Sequence, residues 1–442
     1  MSSIDRSTAA ARAGLASADR RSLLLGLTAG GVGLMAPTAG AGEPTTPPSG
    51  VPLVVPFHGP HQAGVTTPQP TAGLVVAFDL LVETRDELRR LFRDLTEILR
   101  PLAEGGRPPV DDPRFPPADS GVLGPEIRPE WFTATVAVGA SLFDGRFGLA
   151  PLKPAQLGEM GAFPNDALDD DLCHGDLAIQ FCAESAEEVI HALRAVVKAT
   201  PDRLAIKWKQ EGFTATHGTR RGPIGTGRNL LGFKDGTANA DVGDTTLMDD
   251  WIWVRPGAGE PAWATGGSYQ VIRLIRNFVE FWDRTPLGEQ ERIFGRHKDS
   301  GAPLGRTDEF DPPDYASDPK GERIPLDAHI RRANPRTREE TARLIRRGFN
   351  YSNGVTRAGQ LDMGLLFVSF QADLGRGFVA AQSRLDGEPL EEYVKPFGGG
   401  YFFVLPGVPT REAALGDGLF AAAAALPPSP APARSGAPIE KG

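Results

Sequence analysis

Cysteine is almost absent: Cys173 and Cys182 are the only two in 442 residues, and histidine occurs seven times. That inventory excludes a Cys-rich zinc or iron–sulfur site, and one pair of thiols builds no disulfide framework. Nine residues apart, the two can meet or lie far apart, and spacing does not decide. A basic surplus is also missing, because 47 Lys and Arg face 56 Asp and Glu for a formal charge of −9. Without it, nucleic acid is not an expected partner. Beyond the first forty residues no apolar run is long enough to span a bilayer. What remains is ordinary globular composition, 40% hydrophobic and 23% charged, in a chain long enough to predict two domains.

The opening of the chain reads as an address. Arg20-Arg21 precede Ser22-Leu23-Leu24-Leu25-Gly26-Leu27, a mildly apolar run continues to Ala36, and Ala39-Gly40-Ala41 matches an A-x-A cleavage site. A polar start, paired arginines and a small-residue exit predict a twin-arginine export signal over residues 1–41. The alternative is a short membrane anchor, for which the run is too short and too rich in glycine. That route exports folded proteins, often with a cofactor already inserted. The expected location is periplasmic or extracellular.

Residues 42–70 are rich in Pro, Gly and Thr and read as an extended lead-in. Residues 73–82 form an apolar strand pattern, and 84–100 follow with helical spacing, Thr84 and Glu87 making a capping box. Residues 131–143 and 174–183 read as strands, 186–199 as a helix and 204–213 as a closing strand. The order βαββαβ is the signature of a ferredoxin-like α+β unit. A weaker second copy runs through a strand at 269–282, a helix at 287–294, a strand at 364–374, a helix at 377–385 and a strand at 401–405. The expectation is an α+β fold of two ferredoxin-like domains with antiparallel sheets, 71–240 and 241–412, before a disordered tail at 413–442. Residues 295–360 read as a long excursion, of the kind that usually carries function.

Two phrases carry chemistry. Gly232-Phe233-Lys234-Asp235-Gly236-Thr237-Ala238-Asn239 sets one carboxylate in a turn bracketed by glycines, where backbone can approach a flat ligand closely. Asp327-Ala328-His329-Ile330-Arg331-Arg332-Ala333-Asn334-Pro335-Arg336 sets one imidazole among cations, with Arg323 nearby. A histidine so placed can hold a metal whose cofactor bears negative groups. Taken singly, Asp235 also reads as a turn residue and His329 as a surface histidine. Facing one cavity, they would supply an axial ligand on one side and an acid/base on the other.

The phrase from Asn229 to Asn239 resembles the Gly-x-x-Asp-Gly signature of dye-decolourising peroxidases, most closely their exported bacterial deferrochelatase/peroxidase-like subgroup. The stretches 56–65, Gly301-Ala302-Pro303-Leu304, 327–336 and Arg346-Arg347-Gly348-Phe349-Asn350-Tyr351 are similar to that subgroup in the same order. The resemblance implies one haem b per chain, held mainly by the C-terminal half, with His329 as proximal iron ligand. It implies Asp235 as distal acid/base and Arg347 as distal cation. Gly232, Phe233, Lys234, Gly236, Thr237, Arg331 and Phe367 are then expected around the cofactor. Asp373 is the expected carboxylate behind His329, with Asp327 as its local competitor.

Such residues suit the reaction. Hydrogen peroxide must lose a proton from one oxygen and gain one at the other before its O–O bond breaks, and a carboxylate can shuttle that proton. An arginine supplies fixed positive charge where negative charge develops. The implied partners are hydrogen peroxide and a small one-electron donor, and related proteins commonly self-associate. Arg273, Arg323, Arg331 and Arg332 are candidates for the haem carboxylates; His58 and His61 read as iron ligands, channel-lining residues or ordinary hydrogen-bonding groups. Trp251 and Trp253 read as electron relays or as core. Two other functions stay open: a haem-handling protein that releases iron, and a haemless binding module.

Overall fold

The computed structural model describes residues 54–109, 112–215, 226–337 and 341–426; the expected leader and the end of the expected tail lie outside them. Among the described residues nine strands are formed: β1 (Ala72–Leu80), β2 (Thr133–Gly139), β3 (Leu177–Ala183), β4 (Leu204–Phe213), β5 (Ser268–Asn277), β6 (Ile345–Arg346), β7 (Phe349–Val355), β8 (Leu361–Gln371) and β9 (Val394–Val404). The helices are α1 (Arg85–Glu104), α2 (Ala186–Ala199), α3 (Thr245–Trp251), α4 (Val279–Trp282), α5 (Leu287–Phe294), α6 (His329–Ala333), α7 (Ala380–Leu385) and α8 (Asp417–Ala423).

Strand order is β5-β9-β2-β3-β1-β4-β7-β8-β6, and β5 also pairs with β8, so the sheet closes into a barrel with β6 outside the ring. Each half is a ferredoxin-like unit. In the first, the order β4-β1-β3-β2 places the fourth strand beside the first; in the second, β9-β5-β8-β7 repeats that order. Antiparallel seams join the halves, Ala137↔Val404 through Gly139↔Phe402 on one side and Phe213↔Asn350 on the other. Gln62, buried in the lead-in, staples the first seam: its amide donates to the Val136 and Leu405 carbonyls at 2.7 and 2.9 Å.

The elements follow from their residues. Thr84 caps α1: its hydroxyl accepts from the Glu87 N–H, while the Glu87 carboxylate accepts from the Thr84 N–H. Leu88, Leu91, Phe92, Leu95 and Leu99 then recur on one face and are fully buried. Strand parity divides the core. Leu74, Val76 and Phe78 of β1 face α1 and α2, whereas Val75 and Ala77 join Ile272, Leu274, Leu366, Val368, Phe402 and Val404 inside the ring.

The structure corrects several expected boundaries. The second strand stops at Gly139 and turns through Ala140–Phe143. The expected strand at 269–282 ends at Asn277, and Val279–Trp282 is helical. The excursion at 295–360 holds two strands where none is expected, β6 and β7. The tail expected from 413 is ordered at its start: α8 buries Leu419, Phe420 and Ala423, with Phe420 edge-on to Phe92 of α1.

Candidate active site

Asp235 sits in the expected turn. Gly232 and Gly236 have φ of 87° and 102°, backbone that side chains rarely adopt, and a Cβ at Gly232 would lie 2.6 Å from Lys298 Cε. Asn229 shapes the turn by accepting, through Oδ1, the N–H groups of Leu231 and Phe233 at 3.1 Å each. Phe233 is buried beneath the loop and stacks on Phe294, ring centroids 4.0 Å apart. The Phe294 ring lies 5.8 Å from that of His329, which links the two phrases through one aromatic pair.

His329 opens α6, and its Nδ1 lies 2.9 Å from both carboxylate oxygens of Glu388. A carboxylate accepts, so Nδ1 carries the proton and Nε2 is the nitrogen left for a metal. Glu388 is buried in the turn before the short helix Pro389–Glu392. It occupies the place expected for Asp373. Asp373 instead accepts the Arg376 N–H at 2.9 Å and caps the turn after β8, and Asp327 is exposed beside α6.

The distal cation is a second correction. Arg346, not Arg347, reaches the carboxylate: its guanidinium lies 2.8 Å from Asp235 Oδ1. Adjacent strand residues point to opposite sides. Arg347 therefore turns inward, where its guanidinium donates to the Thr67 and Pro68 carbonyls beside the buried Cys182, and burial lowers its pKa. Asn239 aligns Arg346 from the turn, donating to its carbonyl at 2.8 Å and accepting its N–H at 2.9 Å.

Asp235, Arg346, His329, Glu388 and Phe367 line one cavity with about 1710 Å³ of empty space, open solvent at its mouth included. Its walls are mostly apolar, among them Leu231, Ile275, Phe294, Leu365, Phe378 and Leu390. Arg273, Arg296 and Arg336 add cations to the lining. Burial pulls Arg296 below the usual arginine range, and repulsion from Arg336 and Arg346 adds to this. Arg273 is fully buried; one nitrogen pairs with Asp166, while Nε and Nη1 have no hydrogen-bond partner among the described residues. Arg336 holds φ at 60°, strained for a side-chain-bearing residue. A smaller, more polar cavity of about 770 Å³ meets the first at Asn229, Asp235, Asn239, Arg346 and Leu365.

Other expected residues divide. Lys234 and Thr237 line the cavity, but Lys234 Nζ lies 3.2 Å from Glu309 and the Thr237 hydroxyl donates to the same carboxylate. Arg331 does not line it: the guanidinium is held by Asp318 and the Ile324 carbonyl, over the Tyr315 ring. Arg332 and Arg323 are likewise spent on the Asp386 carbonyl and Ser317. His61 stacks on Trp253 at 3.9 Å and bonds the Gly266 carbonyl, and His58 lies 4.0 Å from Glu104; neither lines the cavity. Among the described residues no group of three or more His, Cys, Asp or Glu side chains converges as a metal site. Arg346 was within reach of the sequence as half of an arginine pair; Glu388, 59 residues from its histidine, left no signal.

A barrel of two ferredoxin-like units with one histidine and one arginine-paired carboxylate on a shared cavity defines a haem peroxidase architecture. The chain belongs to the Dyp-type peroxidase family: the N-terminal and C-terminal family profiles match residues 62–214 and 226–409. It is 57% identical over 368 residues to the deferrochelatase of Yersinia pestis, covering 83% of this chain and 85% of that one. Over 407 residues it is 54% identical to the deferrochelatase of Escherichia coli O157:H7, covering 90% and 96%. Among solved structures it resembles a DyP-type peroxidase from Cellulomonas bogoriensis, at 36% identity and TM-score 0.74, covering 83% of this chain and 98% of that one. Ferric DtpA from Streptomyces lividans matches at 35% identity and TM-score 0.75, covering 84% and 98%.

The family's cofactor is haem b, and the cavity suits it. Apolar walls match a macrocycle, Nε2 of His329 matches its iron, and the unpartnered nitrogens of Arg273 together with Arg296 and Arg336 match its carboxylates.

Proposed function

We propose that this peroxidase works through Asp235, Arg346 and His329, with Glu388 behind the histidine. The observation that carries the reading is one cavity lined by both His329 and Asp235, with Arg346 on that carboxylate at 2.8 Å. Bound haem supplies the redox centre at which peroxide is reduced and one-electron donors are oxidised. Asp235 accepts a proton from one peroxide oxygen and returns it to the other. Arg346 stabilises the negative charge that develops on the departing oxygen. His329 Nε2 would hold the iron, with Glu388 fixing the tautomer and ring plane through Nδ1. The smaller polar cavity beside Asp235 suits the approach of peroxide and water.

The test is Asp235→Asn. Peroxide-dependent dye oxidation should fall by roughly 100-fold or more, while haem binding stays at the wild-type level. An unchanged turnover rate would remove Asp235 from the mechanism.

A second reading is favoured by the relatives' names: at 54–57% identity they are deferrochelatases, so release of iron from haem with the porphyrin intact is a candidate activity of the same cavity. Anaerobic incubation with haem, followed by porphyrin fluorescence and a ferrous-iron chelator, separates the two. Residues 1–41 are proposed to direct export in folded form to the periplasm or beyond. Replacing Arg20 and Arg21 with lysine should retain the protein in the cytoplasm.

A further inference from the structure

We infer that Glu309 is a positioning residue for peroxide reduction: its buried carboxylate holds the Asp235 turn from behind. The inference rests on the role given to Asp235 above.

Glu309 comes from the long excursion, 74 residues beyond Asp235 in sequence, and is 8% exposed. Its Oε1 accepts from the hydroxyl and N–H of Thr226 and, at 3.0 Å, from the Thr237 hydroxyl. Its Oε2 lies 3.2 Å from Lys234 Nζ. Lys234 immediately precedes Asp235 and Thr237 follows two residues later, so one carboxylate grips the chain on both sides of the reactive acid. Thr226 sits beside Gly227, whose carbonyl accepts the Asp235 N–H at 2.9 Å.

The excursion is shaped for this grip. Gly301 has φ of 78°, and a Cβ there would lie 2.5 Å from Lys234 Cγ, so glycine is what lets the lysine stem pass. Arg296 ties the segment down by donating to the Gly301 and Glu309 carbonyls at 2.6 and 3.0 Å. Burial works against charge on Glu309, but the bonds from Thr226, Lys234 and Thr237 outweigh it, and its pKa is lowered. A buried ionised carboxylate held by this many donors is a rigid anchor. The Asp235–Arg346 pair is partly exposed and cannot fix its own geometry as firmly.

The experiment compares Glu309→Gln and Thr237→Val with the wild-type holoenzyme. Stopped-flow mixing with hydrogen peroxide gives the second-order rate; steady state gives KM for peroxide and kcat at saturating donor; Soret titration gives haem affinity. Glu309→Gln should lower the peroxide rate roughly 10- to 100-fold, with haem affinity and saturating kcat kept. Thr237→Val removes one arm and should fall in the same direction by less, which decides the matter if Glu309→Gln does not fold. Wild-type peroxide rates in the folded variants would overturn the inference. So would losses of rate, kcat and haem affinity in equal proportion, the mark of a merely structural role. Asp235→Asn runs alongside. If it keeps its peroxide rate, the reading of Asp235 fails; if it loses the rate while Glu309→Gln keeps it, only this inference fails.

Discussion

Two neighbouring arginines occupy different physical worlds. Arg346 is 30% exposed and meets Asp235 across the cavity lining; Arg347 is buried among the Thr67 and Pro68 carbonyls and Cys182. Arg346→Leu should leave folding and haem binding near wild type but slow the peroxide step by roughly 100-fold, measured by stopped-flow absorbance. Arg347→Leu should instead remove the buried donor that ties the Thr67 and Pro68 carbonyls and destabilise the protein by about 1–3 kcal/mol, read by denaturant unfolding, with the peroxide rate of the folded fraction kept. The opposite pattern would return the distal role to Arg347. On the other wall, Glu388→Gln keeps the size of the side chain but removes the charge facing His329 Nδ1. Haem affinity should drop roughly 10- to 100-fold, a change visible in a Soret titration and absent if Glu388 only packs.

Elements with strong period were legible in the sequence, and those shaped by neighbours were not. The capping box and apolar face of α1, and α2 with β4, stand where their residues place them, because each carries its own local signal. β7 went unread because Asn350, Ser352, Asn353 and Gly354 break its alternation; pairing with β8, Phe349↔Leu366 through Val355↔Leu361, makes it a strand. In β6, two residues long, parity decides which arginine faces the cavity, and parity is set by Ile345↔Phe370 and Arg346↔Ser369, which no local pattern encodes. Asp235 and His329 were legible because each sits in a phrase of unusual residues; Glu388 and Glu309 act from distant turns. Helix α8 shows the limit of composition: its alanines read as tail, yet Leu419 is fully buried. Leu419→Ala should cost about 2–5 kcal/mol, seen as a lower unfolding midpoint. No change would mean that α8 is only loosely docked.

Across the whole molecule, buried carboxylates give stability opposite pH dependences. Burial opposes charge on Asp176, but hydrogen bonds from Arg146, Ser141 and the Leu80 N–H lower its pKa, so it contributes stability above pH 3.8 that is lost as pH falls. Glu188 on α2 runs the other way. Burial first, then Glu130 and Glu184 by repulsion, push its pKa from 4.5 to about 8, against one bond from the Glu130 N–H. In the folded state it stays protonated where the unfolded chain is ionised. Between pH 4.5 and about 8 the native state therefore binds the extra proton, and stability declines as pH rises through that window. Glu188→Gln keeps the shape and removes the titration. The variant should be more stable than wild type at pH 8 by about 1–3 kcal/mol, with the advantage shrinking towards pH 4.5. Thermal unfolding at several pH values reads the difference directly. An advantage that is constant with pH would mean that Glu188 is ionised in the folded protein, with the surface over α2 open enough to solvate it.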